Sequence, residues 1–335
     1  MIDRENIHQS CDQIVDIAHW PVHEDYEVFP VGARDKSLRV CPSTAPFDFC
    51  LPNHRYLFKE AIKSAKDPRK QRHPDQYWAE VIAFKIGRMM KLPVPPAFVA
   101  VNSETGEPGS IIEWFLGYDP GIVERFTPGG DHMQSMIEGY DRDKGRLHNL
   151  DTIIKFSRVL SRYKILSHDW QEYWGLCLCF DAVIGNTDRH QENWGVIWND
   201  REQSARLTPL FDNGTSLGHE LFEKKIHQFR TDETGLRAYI RKGRHHMKWS
   251  LAEEGRLPLM EGVCRFCVKY PATIPLLVDS LGWEEEALEK ALSELTSFDI
   301  KSPLSVERAD FVHQLTILRK RILLEHLERI GNEVH

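Results

Sequence analysis

The chain has 335 residues, 41% hydrophobic and 28% charged, with a formal net charge of −7. This is the composition of a globular protein long enough for two lobes, each with its own core. The acidic balance argues against general nucleic-acid binding by phosphate neutralisation. No run of eighteen apolar residues offers a membrane span, and Met1-Ile2-Asp3-Arg4-Glu5-Asn6 lacks a basic-then-apolar leader pattern, so the cytoplasm is the expected location.

Residues 1–25 are polar and read as an N-terminal arm, helical or loose. Residues 26–115 read as strands around one helix, a small lobe. Within it, residues 31–37 place Gly32, Arg34 and Lys36 between two strands. One glycine and two cations there can cover a triphosphate, although a plain hairpin turn fits the same residues. No Walker-type or G-x-G-x-x-G run exists. Residues 55–59 form a short apolar strand ending on Lys59. Residues 77–87 predict an amphipathic helix with Val81 and Phe84 on its apolar stripe, and Glu80 near its start within reach of Lys59. Taken singly, both charges read as surface residues. Pro93, Pro95 and Pro96 stop the helix. A strand over 98–102, a turn over 103–109 and a strand over 110–115 follow. The last ends on Glu113, Trp114 and Phe115, which read either as an ordinary core strand or as a hinge giving adenine backbone partners and an apolar sandwich.

Residues 116–335 read as a larger, mainly helical lobe. Its first part, 116–150, is rich in Gly and Asp and predicts a linker or a loop near the cleft. Residues 173–184 predict a buried helix closed by Gly185 in a left-handed cap. A hairpin is expected over 194–211, with its turn at 199–202. Helical spacing returns at 259–268, 274–281, 283–295 and 306–330, where the stripe from Val312 to Leu327 reads as lobe core.

The chemistry concentrates in Asn186-Thr187-Asp188-Arg189-His190-Gln191-Glu192-Asn193 and in Leu210-Phe211-Asp212-Asn213-Gly214. Phosphoryl transfer from ATP needs a group that orients the attacking hydroxyl and oxygen ligands that hold Mg²⁺ against the triphosphate. Asp188 can be the first; Asn193 and Asp212 can be the second, since Mg²⁺ takes hard oxygen donors and keeps several waters. The five-residue step from Asp188 to Asn193 is that of a protein-kinase catalytic loop. Gly214 is expected to let the backbone turn after Asp212. Each residue by itself is an ordinary loop residue; their order makes the pattern specific.

Two features stand outside this set. A basic run over 237–248 (Arg237, Arg241, Lys242, Arg244, His245, His246, Lys248) reads as the solvated face of a helix or as a surface for an acidic substrate, bound tRNA or lipid head group. The seven cysteines, an odd count, fit reduced thiols better than a disulfide framework. Cys264 and Cys267 form a lone C-x-x-C, read as thiols facing inward from one helix, against a zinc site that lacks a second pair.

Together Leu57-Phe58-Lys59, Ala79-Glu80-Val81-Ile82-Ala83, residues 87–95, Ile184 to Asn193 and Leu207 to Asp212 resemble the HipA-like serine/threonine kinases, catalytic components of some bacterial toxin–antitoxin systems. The resemblance covers about residues 28–330. It implies an α+β, bilobal protein-kinase-like fold. It implies Asp188 as catalytic base, His190 near the phosphates, Asn193 and Asp212 on Mg²⁺, Lys59 on the α/β-phosphates, and Glu113 to Phe115 at the adenine of ATP. It implies a protein substrate, in some members an aminoacyl-tRNA synthetase, so that a translation factor or such a synthetase is one candidate. An antitoxin partner is implied, or a separate chain supplying the N-terminal domain that longer members carry and that has no room before Arg55. Some members inactivate themselves on a phosphate-loop serine; Ser37 and Ser43 lie in that region. The same loop resembles that of phosphoinositide kinases, so a lipid or small-molecule kinase is the alternative, followed by a nucleotide-binding protein without turnover.

Overall fold

The computed structural model describes residues 7–23, 36–60, 73 and 76–334. Its N-terminal half is built on a five-stranded sheet of β1 (Val15–Asp16), β2 (Lys36–Val40), β3 (Arg55–Glu60), β4 (Ala97–Asn102) and β5 (Glu107–Glu113), in the order β1-β4-β5-β3-β2. Only β1 runs parallel to its neighbour; the remaining pairs are antiparallel. Alternating β-branched and aromatic residues explain the strands. In β3, Tyr56, Leu57 and Phe58 are buried, and Lys59 lies opposite Ser110 of β5 and Lys36 of β2.

Residues 1–25 were expected as a polar arm. Their described part instead closes the sheet: Val15 and Ile17 are fully buried, Trp20 packs edge-on to Tyr56, and β1 pairs with β4. The Gln9 side chain imitates a strand partner there, donating to the Val99 carbonyl at 2.8 Å and accepting from its N–H at 2.7 Å. Two apolar residues spaced two apart in a polar stretch were the signal.

Helix α1 (Trp78–Met89) crosses the sheet, packing on β4 and β5 and on the C-terminal helices. The expected amphipathic pattern is corrected. All residues from Trp78 to Phe84 are buried, Glu80 among them, because neighbours cover the helix on more than one side. The Trp78 indole N–H donates to the Ser302 carbonyl at 3.1 Å and ties this helix to the C-terminal half.

Residues 116–150 are likewise more regular than a linker. They hold β6 (Glu124–Pro128), which pairs antiparallel with β7 (Gly195–Asn199), itself paired with β8 (Ser204–Leu207) in the expected hairpin. Helix α2 (Gly129–Met136) starts directly after β6, and a Cβ on Gly129 would stand 2.1 Å from the Trp194 ring. Gly129 therefore serves close packing; it does not break the chain.

The C-terminal half consists of α3 (Leu150–Arg162), α4 (Trp170–Ile184), α5 (Glu223–Phe229), α6 (Glu233–Lys242), α7 (Leu259–Lys269), α8 (Ile274–Ser280), α9 (Glu285–Leu295) and α10 (Val306–Val334). Helix α4 is the buried centre. The Asp169 carboxylate caps its start, and Gly185 closes it in the left-handed conformation at φ 69°, as its sequence predicts. No helix among the described residues is long and apolar enough to cross a membrane.

Candidate active site

The chain leaves α4 through Gly185 and runs into the loop bearing Asp188, Arg189, His190 and Asn193 before β7 begins. Asn186 sets the first turn by accepting the Asp188 N–H on its side-chain oxygen at 2.9 Å. Asn193 returns across the loop, its Nδ2 donating to the Asp188 carbonyl at 2.7 Å. The amide is thereby oriented with Oδ1 left as its metal-capable atom. Thr215 reaches the Asp188 carboxylate from the other side, its hydroxyl 3.5 Å from Oδ2.

Lys59 bridges the two halves of the molecule. Its Nζ lies 2.8 Å from Glu80 Oε1 and 2.8 Å from Asp212 Oδ1. Glu80 also accepts the Asn213 N–H on Oε2 at 3.0 Å, so one carboxylate fixes both the lysine and the segment after Asp212. The turn expected at Gly214 occurs two residues earlier. Asp212 itself has φ 57°, a strained conformation that Asp tolerates better than most residues. Gly214 is instead held in place, accepting on its carbonyl from Gln76 Nε2 at 3.2 Å.

One cleft joins these groups. It is lined by Lys36, Lys59, Asn193 and Asp212 at one end and by Leu57, Ile112, Glu113, Trp114, Phe115, Phe126 and Phe211 at the other. Phe115 and Phe211 lie 5.0 Å apart at their centroids, and Phe126 meets Phe115 edge-on at 5.4 Å, giving an apolar slot beside a charged mouth. Lys36 and Lys59 face each other in the β2–β3 ladder. Like charges so placed repel unless anions join them, and Glu80 and Asp212 supply two on Lys59. The Glu113 carboxylate, which lines the slot, is held there by the Tyr56 and Tyr118 hydroxyls, which donate to its oxygens at 3.2 and 2.9 Å. The Trp114 N–H donates to the Arg55 carbonyl at 2.9 Å, and its carbonyl is held by His54 Nε2 at 2.7 Å. Phe115 carries backbone groups with no hydrogen bond among the described residues, the kind of edge a flat heterocycle matches.

His190, within the loop, accepts the Glu192 N–H on Nδ1 at 3.1 Å and faces His246 at 5.8 Å. Gly32 and Arg34 fall outside the described residues. Ser37 lies in β2, where its hydroxyl accepts from Arg39 Nε at 3.0 Å, and Ser43 is exposed between β2 and β3.

The sequence reading missed Arg189. It is 1% exposed and makes five hydrogen bonds: two to the Asp181 carboxylate (3.1 and 2.7 Å), one each to the Asn193 and Phe211 carbonyls (3.1 and 2.5 Å), and one to Asn213 Oδ1 (2.9 Å). One guanidinium thus anchors α4, the Asp188 loop and the Asp212 segment to one another. Burial opposes its charge, but Asp181 more than compensates and holds it firmly protonated. The signal was Asp181 itself, a carboxylate within the buried apolar stretch of α4, which requires a cation. His245 completes this layer. Its Nδ1 stands 4.0 Å from Asp181 Oδ2, and burial pushes its pKa down to about 4.

The basic run over 237–248 does not form one solvated helix face. Helix α6 ends at Lys242, His245 is fully buried, and His246 turns toward His190. Cys264 and Cys267 lie on α7; burial raises both thiols, Cys267 to about 12. No group of three His, Cys, Asp or Glu suited to a metal occurs among the described residues. The cleft nonetheless offers hard donors to a divalent metal. Asn193 Oδ1 and the Asp212 carboxylate are hard oxygen donors lining it, the donor type that hard divalent cations take.

This arrangement is the fold of kinases. Its structure is similar to the proinflammatory kinase CtkA of Helicobacter pylori, at a TM-score of 0.72 and 14% identity over 96% of this chain and 98% of that one. It is similar also to HipA of Shewanella oneidensis MR-1, solved with HipB and operator DNA, at a TM-score of 0.53 and 12% identity over 91% and 67% of the two chains. No curated protein matches the sequence. The HipA-like C-terminal domain family matches residues 32–257, most of the chain, and the protein belongs to that family.

Proposed function

We propose that the protein transfers the γ-phosphoryl group of ATP to a serine or threonine hydroxyl of a protein substrate, with Mg²⁺ as cofactor. The observation that carries the reading is the Lys59 bridge to Glu80 and Asp212 in a cleft that Asn193 also lines. Each partner of the Lys59–Asp212 pair can exchange the other for a ligand of the same charge, the lysine for a phosphate oxygen and the aspartate for a cation.

In this reading the aromatic slot of Phe115, Phe126 and Phe211 takes the adenine, and the Phe115 backbone reads its edge. Lys59, kept in place by buried Glu80, steadies the phosphates, with Lys36 opposite it in the ladder. Asn193 and Asp212 would hold the metal, which would supply positive charge against the phosphate oxygens. Asp188, on the loop stapled by Asn186 and Asn193, orients the acceptor hydroxyl and takes its proton. His190 flanks the phosphates. Residues 26–115 and 116–335 are the two lobes, with the described residues 7–23 packed on the first.

The HipA–HipB complex supports a second polypeptide as regulator, and the proposed site of action is the cytoplasm. The test is incubation of the protein with ATP, Mg²⁺ and cell extract, followed by phosphosite mapping. New phosphoserine or phosphothreonine sites absent with Asp188→Asn are expected. Label entering lipid instead would establish the phosphoinositide-kinase alternative and reject the protein substrate.

A further inference from the structure

The loop and helices behind the catalytic loop enclose a second concavity. It lies between α6, the start of α7 and the C-terminal half of α10, encloses about 710 Å³, and shares no residue with the phosphoryl-transfer cleft. Its size is within the range of ligand grooves. Its floor is apolar: Ile240 is buried, and Met260 and Ile322 are half-buried.

Its rim is cationic. Arg237, Arg241, Arg244 and Arg329 line it, against Glu261 and Glu325. Arg237 is engaged by Glu233 at 2.8 Å, and Glu261 faces Arg265 at 3.5 Å. Among the described residues, the Arg244 guanidinium donates to the Arg241 and Gly243 carbonyls at the end of α6. Arg329 meets His326 Nδ1 at 3.4 Å. Arg241, Arg244 and Arg329 have no carboxylate partner among the described residues. In a chain of net charge −7, this local excess of positive charge is not a consequence of general composition. The lowered pKa of His326, from burial first and then from Arg329, agrees with a positive local field.

The geometry points to a docking groove for an acidic segment of a partner polypeptide, whose carboxylates meet Arg241, Arg244 and Arg329 while apolar side chains rest on Ile240, Met260 and Ile322. Guanidinium groups pair with carboxylates through two parallel hydrogen bonds, and the apolar floor anchors what the charges orient. A bare anion would use the rim and leave the floor uncovered.

The test needs no nucleotide, so it stands apart from the proposed activity. A fluorescein-labelled peptide of alternating Glu-Glu-Leu units is titrated with the full chain by fluorescence anisotropy. Saturable binding is expected, weakening as salt rises. The double variant Arg241→Glu/Arg329→Glu should bind at least tenfold more weakly, and Arg241→Gln by a smaller factor. Both arginines are exposed, and thermal melting checks that the variants stay folded. Lys290→Glu, an exposed charge reversal on α9, should leave binding unchanged. Absence of saturable binding, equal loss with Lys290→Glu, or equal affinity for a peptide with Ser in place of Leu would overturn the inference.

Discussion

Replacing Arg189 by Met probes the internal anchor of the site. The substitution keeps most of the aliphatic volume and removes all five hydrogen bonds. Among the described residues it leaves the fully buried Asp181 carboxylate with the Asn186 amide at 3.3 Å and the His245 Nδ1 at 4.0 Å. Removing one member of a buried ion pair typically costs about 3–5 kcal/mol, a large share of the roughly 5–15 kcal/mol that holds a domain folded. Urea unfolding of Arg189→Met should show a loss of that size. Adding Asp181→Leu removes the stranded charge, so the double variant should recover much of the loss. It should not recover phosphoryl transfer, because the Asn193 and Phe211 carbonyls remain unanchored and the Asp188 loop and Asp212 segment lose their common support. A loss under about 1 kcal/mol for Arg189→Met, or a double variant less stable than the single one, would refute the reasoning.

Lys59→Met should weaken Mg²⁺–ADP binding about tenfold or more, the worth of one charge-assisted hydrogen bond, by isothermal titration calorimetry; affinity within twofold of wild type would count against the phosphate contact. Gly185→Ala places a Cβ 2.1 Å from Arg319 Nη2 at φ 69°, and a thermal melt should show clear destabilisation; an unchanged melting temperature would contradict the close packing there. Acid should weaken the fold through buried histidines, since burial pushes His245 down to about 4 and His148 to about 3. The unfolded chain takes up these protons near pH 6.5 while the native state refuses them, so the full contribution is present above pH 6.5. It is lost as pH falls, at about 1.4 kcal/mol per pH unit and group. Urea titrations from pH 7.5 to 4.5 should show this slope, reduced in His245→Gln; a slope that the variant leaves unchanged would deny His245 its part.

What the sequence conveyed followed its physics. Helix α4 was legible because twelve mostly apolar residues end at a glycine, and the hairpin because aromatic and β-branched residues flank a polar turn. Lys59, Glu80 and Asp212 could be placed in order, and the structure brings them to within 2.8 Å of one amine. Three things were hidden. Strand β6 lies among glycines and prolines that read as breakers, yet its partner β7 is remote in sequence. The strain at Asp212 was masked by Gly214, the residue that usually absorbs such a turn. Arg189 was given no role, because the buried Asp181 calls for a cation but nothing in the linear order says that Asn193, Phe211 and Asn213 converge on the same guanidinium.

The most direct measurement is a single-turnover assay with γ-labelled ATP and Mg²⁺, following protein-bound label with extract as acceptor for wild type, Asp188→Asn and Asp212→Asn. Incorporation by wild type is expected, with a fall of about a hundredfold or more in Asp188→Asn at retained nucleotide affinity and loss of Mg²⁺-dependent turnover in Asp212→Asn. Label transferred equally well by all three proteins would contradict the roles of Asp188 and Asp212.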